Sequence, residues 1–405
     1  MVENDVKKQL GKAKKAYQSK DFETSNELYS KLYQEHGEDF TDWDNRFYAW
    51  ALYQYHVKDP KSREELIDAG ERITTIVNQS NHSKKDGPCA YTLTVLKIMD
   101  YLDDDWDSII YWSEKLNPDF LSQERFEFMD SNGKQRFLPS KKEKWYSLTS
   151  KALLKIDECD EAIEVSKEAL ANLNEFTNDS DIWFKWKIAK ALKELSEYDE
   201  ALDYLKEVKQ VKHDWFVNGE IAENYFFKND LENALKYAVA GALSRGDIDK
   251  KINLYSLIED ILKMDGKIKE ADKHAYLIYA IRHKNDWNID DDLESCVKEA
   301  GFNLEDDDYF AIEKELHELW EEYKYQNQEL KTGTIVSILA NGKAGFIDDG
   351  SYNDNIYFNM YEFKGDKKLA KKGQFVSFYE AEGFDKKKNK KVINAVNVSP
   401  KEFMG

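Results

Sequence analysis

Along most of the chain, apolar positions recur at steps of three and four, the spacing of one face of a helix. In Ile188–Val208 the pattern stops at Ser196–Glu197 and then resumes, which predicts two helices joined by a tight turn. Ala189 and Ala201 stand twelve apart, one in each helix, where small side chains let antiparallel helices approach closely. The same offset separates Ala222 from Ala234, Ser150 from Ala162, and Ala13 from Ser25. Bulky residues precede the second helix at Phe22, Trp106, Tyr198 and Leu231, and Tyr17, Leu192 and Tyr225 fill the facing position in the first. Glu259 occupies a position where a small residue is expected, and residues 43–115 fit the pattern loosely.

The period changes twice. In Arg125–Pro139, Phe126 and Phe128 alternate, the chain turns at Asn132–Gly133, and Phe137 follows, which predicts a β-hairpin inserted at 125–139. Between 288 and 330 the hairpin pattern lapses into one further helix with Tyr309, Ile312, Leu316, Leu319 and Tyr323 on a stripe. Asp306–Asp308 suit its N-terminus electrostatically. This helix caps the end of the array, or pairs two chains. After Lys331 the period becomes two, and five short strands follow within 331–400, which predicts a small closed barrel.

The second-helix markers Ala162, Ala201, Ala234 and Ala271 are 39, 33 and 37 residues apart. They bracket the roughly 34-residue period of tetratricopeptide repeats, which residues 1–287 resemble in about seven irregular hairpins. The resemblance implies a mainly α fold, an α-α superhelical solenoid whose concave face holds a protein or peptide partner.

The tail resembles the cold-shock and S1-like members of the OB fold. Gly333-Thr334-Ile335-Val336 lines up with the family's first strand, and Gly342-Lys343-Ala344-Gly345-Phe346-Ile347 falls without a gap on Lys-Gly-Phe-Gly-Phe-Ile. Ile356-Tyr357-Phe358-Asn359-Met360 matches Val-Phe-Val-His-Phe, and Gly373-Gln374-Phe375-Val376-Ser377-Phe378 matches a later segment. The resemblance implies contact with RNA or single-stranded DNA through Lys343, Phe346, Tyr357, Asn359 and Met360, with Lys386 and Lys387 supplying phosphate contacts. Strand alternation sends Ile356 and Phe358 inward and Tyr357 and Asn359 outward beside Phe346. Four departures stand out: Ser337 replaces the stacking tryptophan, Ala344 a phenylalanine, Asn359 the histidine and Met360 a further phenylalanine. Phe384 in the last loop is one more candidate ring.

Charge sharpens the division. The chain of 405 residues carries a formal net charge of -20, yet residues 331–400 hold 12 lysines against 8 acids. That makes the tail +4 and the remainder -24, so the sign reverses where the period changes. A mean hydropathy of -0.76 and 34% charged residues suit a thin, elongated architecture. No window reaches the roughly 18 apolar residues of a membrane span, and Met1–Leu10 lacks the apolar core of a signal peptide, so a cytoplasmic protein is expected. Cys89, Cys159 and Cys296 are widely spaced, as buried thiols in a reducing compartment would be.

Catalytic signatures are missing from the sequence, and no cofactor or metal is implied. No Gly-Lys pair is followed by Ser or Thr, as a phosphate-binding loop requires, and the seven histidines form no zinc pattern. Asp103, Asp105, Asp107 and Glu114 resemble a calcium loop, but Ser108 holds the position that needs glycine. The expected function is therefore a non-enzymatic adaptor, the barrel binding nucleic acid and the array a protein. The alternative is a pure protein-interaction scaffold or regulator whose barrel binds no nucleic acid.

Overall fold

The computed structural model describes residues 2–79, 89–304, 309–351, 355–385 and 390–401, those at 2–4, 309, 384 and 385 by backbone alone. The chain divides into two compact units, Met1–His213 and Asp214–Gly405. The division falls within the helical array. The architecture is a tetratricopeptide-like series of helix hairpins followed by a closed five-stranded barrel.

The first unit contains α1 (Val2–Gln18), α2 (Phe22–His36), α3 (Asp42–Leu52), α4 (Arg63–Ile76), α5 (Ala90–Tyr101) and α6 (Trp106–Glu114). After β1 (Phe126–Met129) and β2 (Gln135–Leu138) come α7 (Lys141–Lys155), α8 (Cys159–Asn172), α9 (Ser180–Glu194) and α10 (Tyr198–Val211). The strands β1 and β2 pair antiparallel, with Gly133 at a φ of 71° in the turn. A π-helical turn, Tyr53–Val57, extends α3. It lies in the stretch where the sequence pattern is loosest. Asp105 accepts a hydrogen bond from the Ser108 amide at 3.2 Å and caps α6, so this carboxylate serves the helix end.

In the second unit α11 (Trp215–Phe227), α12 (Leu231–Ala242), α13 (Ile252–Met264) and α14 (Ile268–Lys284) continue the hairpins. They are followed by α15 (Asp291–Glu299) and α16 (Tyr309–Tyr325). The barrel comprises β3 (Lys331–Ile338), β4 (Ala344–Asp348), β5 (Ile356–Asn359), β6 (Phe375–Asp385) and β7 (Lys390–Pro400), closed in the order β3-β4-β5-β7-β6. Among the described strand pairs of the barrel, β5–β7 alone is parallel, an arrangement that fits an OB-like barrel. Its core is built from Ile335, Ile347, Ile356, Phe358, Phe363, Val376, Phe378, Ala395 and Val398.

Five hairpins share one turn. Lys20, Asp157, Ser196, Asn229 and Gly266 take φ values of 63°, 62°, 64°, 60° and 75° in the left-handed region. In each case the next residue donates its amide to the carbonyl five positions back, as Glu197 does to Leu192 at 2.8 Å and Asp230 to Tyr225 at 2.9 Å. This is the Schellman ending, which satisfies carbonyls that a helix terminus leaves open. Each turn fixes the crossing point of its two helices. The small residues lie there: Ala13, Ser25, Ser150, Ala162, Ala189, Ala201, Ala222, Ala234 and Ala271 are all essentially inaccessible. Ser25 even donates its hydroxyl to the Ala13 carbonyl across the contact, at 3.0 Å. Glu259, at the same place in α13, is buried, turns its carboxylate to Lys263 at 2.6 Å, and has its pKa raised by desolvation.

Helix α16 packs on α12 and α14 and buries Ile312, Leu316 and Trp320. Trp320 stacks on Tyr255 with centroids 5.4 Å apart and donates its indole N–H to His274 Nε2 at 2.9 Å. His274 Nδ1 lies 2.7 Å from the Glu270 carbonyl, which can only accept, so the neutral Nδ1–H tautomer is the one that satisfies both contacts. Burial lowers the His274 pKa to about 4.

Two measurements probe these contacts. Ala201→Leu forces a branched chain into the α9–α10 crossing and is expected to cost about 1–3 kcal/mol, read as a lower denaturant midpoint of the first unit. For His274, the unfolded chain binds the extra proton between its ordinary pKa of 6.5 and the folded value of about 4. Its contribution, on the order of 3 kcal/mol, is therefore complete above pH 6.5 and disappears as the pH falls towards 4. Unfolding of wild type and His274→Phe at pH 4.5 and 7 should show a smaller pH-dependent change in the variant.

Candidate functional site

The barrel's outer face is set by the register of three strands. Ser337 of β3, Phe346 of β4 and Tyr357 of β5 are successive partners across the sheet, and Asn394 of β7 follows Tyr357. Alternation sends Ile347, Ile356 and Phe358 into the core and leaves Phe346 and Tyr357 half-buried on the outside. Their rings meet edge to face, centroids 5.8 Å apart and planes at 73°. Gly345 makes this possible from below. A Cβ there would lie 2.6 Å from Phe358 Cε1 and 2.7 Å from Ile338 Cδ1, so glycine lets the core ring fill the space beneath β4.

The remaining predicted residues fall into three groups. Lys343 is exposed at the start of β4, in a turn held by its own amide to Asn341 Oδ1 at 3.0 Å. Asn359 uses its side-chain oxygen to cap the short turn after β5, accepting from the Tyr361 amide at 3.0 Å. Met360 packs against the barrel core. Lys386 and Lys387 lie outside the described residues, as do Asp306–Asp308 and the Phe384 side chain.

One ring escaped the sequence reading. Tyr361 is 88% exposed, the most open of the large hydrophobic side chains among the described barrel residues. It follows Met360, whose amide bonds to the Lys343 carbonyl, so it sits at the Lys343 end of β4. The available signal was a tyrosine one position past the place where the family carries a phenylalanine.

The barrel lysines divide by partner. Lys331 pairs with Glu380 at 2.9 Å, Lys364 with Glu321 of α16, and Lys367 donates to the Met360 and Phe363 carbonyls. Lys343, Lys368, Lys371 and Lys372 are exposed and have no ion pair among the described residues. On the opposite flank, Tyr379 of β6 stacks on Tyr325 of α16 with centroids 4.3 Å apart and planes at 4°, and Asn327 donates to Glu232 of α12 at 3.0 Å. The barrel is thus fastened to α16 through β6 and Lys364, while Phe346 and Tyr357 belong to strands on another side. This arrangement offers ring faces and ammonium groups. Among the described residues no group of three His, Cys, Asp or Glu side chains could hold a metal, and no helix is long and apolar enough to cross a membrane.

A domain of unknown function (DUF7017) matches residues 182–327, a stretch that runs from α9 to just beyond α16. No curated protein matches the chain. Among solved structures, a tetratricopeptide repeat protein from Parabacteroides merdae is 11% identical, with 73% of this chain and 99% of that one covered and a TM-score of 0.35. A Rap protein complexed with competence and sporulation factor is 11% identical, with 80% and 92% covered and a TM-score of 0.38. MamA, residue 41 to the end, from Desulfovibrio magneticus RS-1 is 13% identical, with 48% and 97% covered and a TM-score of 0.36.

Gly345→Ala is expected to destabilise the barrel by about 1–3 kcal/mol, because the new methyl collides with a fully buried ring. Thermal unfolding of the full chain should show this loss, whereas Ser337→Ala on the exposed side of the neighbouring strand should leave the transition unchanged.

Proposed function

We propose that the chain is a non-enzymatic adaptor. Its barrel binds RNA or single-stranded DNA, and its helical array holds a protein partner. The observation that carries the nucleic-acid half is the outward Phe346–Tyr357 pair on strands β4 and β5, with Lys343 exposed in the turn that leads into β4. Unpaired bases stack on such rings at about 1–3 kcal/mol each, and lysines meet the phosphates. Tyr361, standing free at the same end of β4, extends this platform. It supplies a ring where Ala344 and Met360 leave the cold-shock-like pattern without one. Asn359 and Met360 support the platform from within the turn rather than by reaching out.

A second reading has its own observation. The tryptophan position of the first strand is Ser337, and Lys364 and Lys367 are engaged inside the protein. A barrel so depleted suits a scaffold that binds only proteins.

Fluorescence anisotropy with short labelled RNA and DNA oligomers separates the two. The adaptor reading expects binding that weakens as salt rises and falls roughly tenfold for each of Phe346→Ala, Tyr357→Ala and Tyr361→Ala. Absence of binding at low salt would remove the nucleic-acid half and leave the scaffold.

A further inference from the structure

The strand register brings one carboxamide into the row of outward rings on the barrel. Ser337, Phe346 and Tyr357 are successive partners on β3, β4 and β5, the next partner of Tyr357 is Asn394 of β7, and Ala381 of β6 follows. Ala395 is buried in the core, so alternation turns its neighbour Asn394 outward, on the same side as Tyr357. Asn394 is half-buried, as Phe346 and Tyr357 are. The row therefore reads hydroxyl, ring, ring, amide.

The amide at the end of that row is not spent on the fold. No hydrogen bond holds the Asn394 side chain among the described residues, and neither of its polar atoms is sealed from water. It lies across β6 at Gly383, where a Cβ would overlap the amide nitrogen and stand 2.9 Å from Cγ. Glycine leaves the amide that place. A carboxamide neither stacks like a ring nor pairs with a phosphate like a lysine; it offers a donor beside an acceptor. Neighbouring strands are only about 4.8 Å apart, so a base lying on the Tyr357 ring overhangs β7 and brings its edge to Asn394.

We infer that Asn394 reads the edge of the base stacked on Tyr357, and that the barrel prefers adenine there. The inference rests on the nucleic-acid half of the proposed function and adds base selection to it. Rings and lysines grip any sequence, because every base has a π face and every nucleotide a phosphate, whereas hydrogen bonds to an edge discriminate. Adenine suits a carboxamide best: its 6-amino group stands beside N7 on one edge and beside N1 on the other, so either edge pairs twice. Cytosine and uracil have no second edge of this kind, and the N7 side of guanine offers two acceptors. Ser337, at the far end of the row, pairs with a donor or an acceptor alike and so selects less.

The test is fluorescence anisotropy of the full chain with short labelled oligo-A, oligo-C and oligo-U RNA and with oligo-dA and oligo-dT. Oligo-A should bind about tenfold more tightly than oligo-C or oligo-U, and oligo-dA than oligo-dT. Asn394→Ala should weaken the adenine oligomers about tenfold and leave the others unchanged. Purine riboside in place of adenosine, which removes the 6-amino group alone, should cost the wild type as much and cost Asn394→Ala nothing further. Gly383→Ala displaces the amide without removing it and should blunt the preference in the same way, with thermal unfolding showing that both variants fold. Equal affinity of the wild type for all the oligomers, or an adenine preference that survives in Asn394→Ala, overturns the inference and leaves nucleic-acid binding standing. No binding of any oligomer removes the nucleic-acid half itself and this inference with it, so the two failures give different results.

Discussion

The close crossing of two antiparallel helices, set by a turn of fixed geometry, is the constraint on which the helical array depends. A left-handed residue and a bond reaching five positions back determine where the second helix starts. The contact then falls five residues after the turn in one helix and seven before it in the other. Nothing larger than alanine or serine fits there without deflection. Where Glu259 takes the place, its carboxylate must turn along its own helix to Lys263, and desolvation raises its pKa. Four of the five left-handed residues are not glycine. The array tolerates that strain, roughly 1–2 kcal/mol each, because the packing on either side over-determines the turn.

The same logic carries from the array to the barrel within the second unit. His274, held in one tautomer by the Glu270 carbonyl, accepts from Trp320, and Trp320 stacks on Tyr255. That triad fixes α16. The far end of α16 then presents Tyr325 and Glu321 to Tyr379 and Lys364 of the barrel. Each link consumes a polar or aromatic group that would otherwise have been counted as available for a ligand. The Phe346–Tyr357 pair, Tyr361 and the lysines without an ion pair among the described residues stay outside these links.

Much of this was legible in the sequence because it is written in side-chain size and period. The small residues at the crossings, the inward Ile356 and Phe358, the five strands and the turn at Gly133 all follow from patterns that bury one face. The turns themselves were less legible. Lys20, Asp157, Ser196, Asn229 and Gly266 share a backbone conformation and no side-chain chemistry. Of the α16 stripe Tyr309, Ile312, Leu316, Leu319 and Tyr323, the last four pack on the array, yet the deepest ring is Trp320, four residues after Leu316 and outside that stripe. Both positions fit a helix face, and the partner surface decides which of them lies deepest. Tyr361 lies one position beyond the motif residue Met360, where the chain has already left the strand and turned the next ring outward, so strand alternation does not announce it.

Charge is the part of the sequence whose meaning changes most in three dimensions. A net charge of -20 would repel a polyanion if it acted as a whole, yet exposed charges are screened beyond about 8–10 Å at physiological salt. What a ligand meets is therefore local. The lysines Lys343, Lys368, Lys371 and Lys372, without an ion pair among the described residues, form one such locality, and the four lysines of α9 another. They differ in how their rings are used: Phe346 and Tyr357 are turned edge to face with no ammonium over them among the described residues, whereas the indoles of Trp183 and Trp186 each have a lysine across the ring. An uncovered ring keeps its face open to a flat neighbour, whereas an ammonium across a ring already occupies that face.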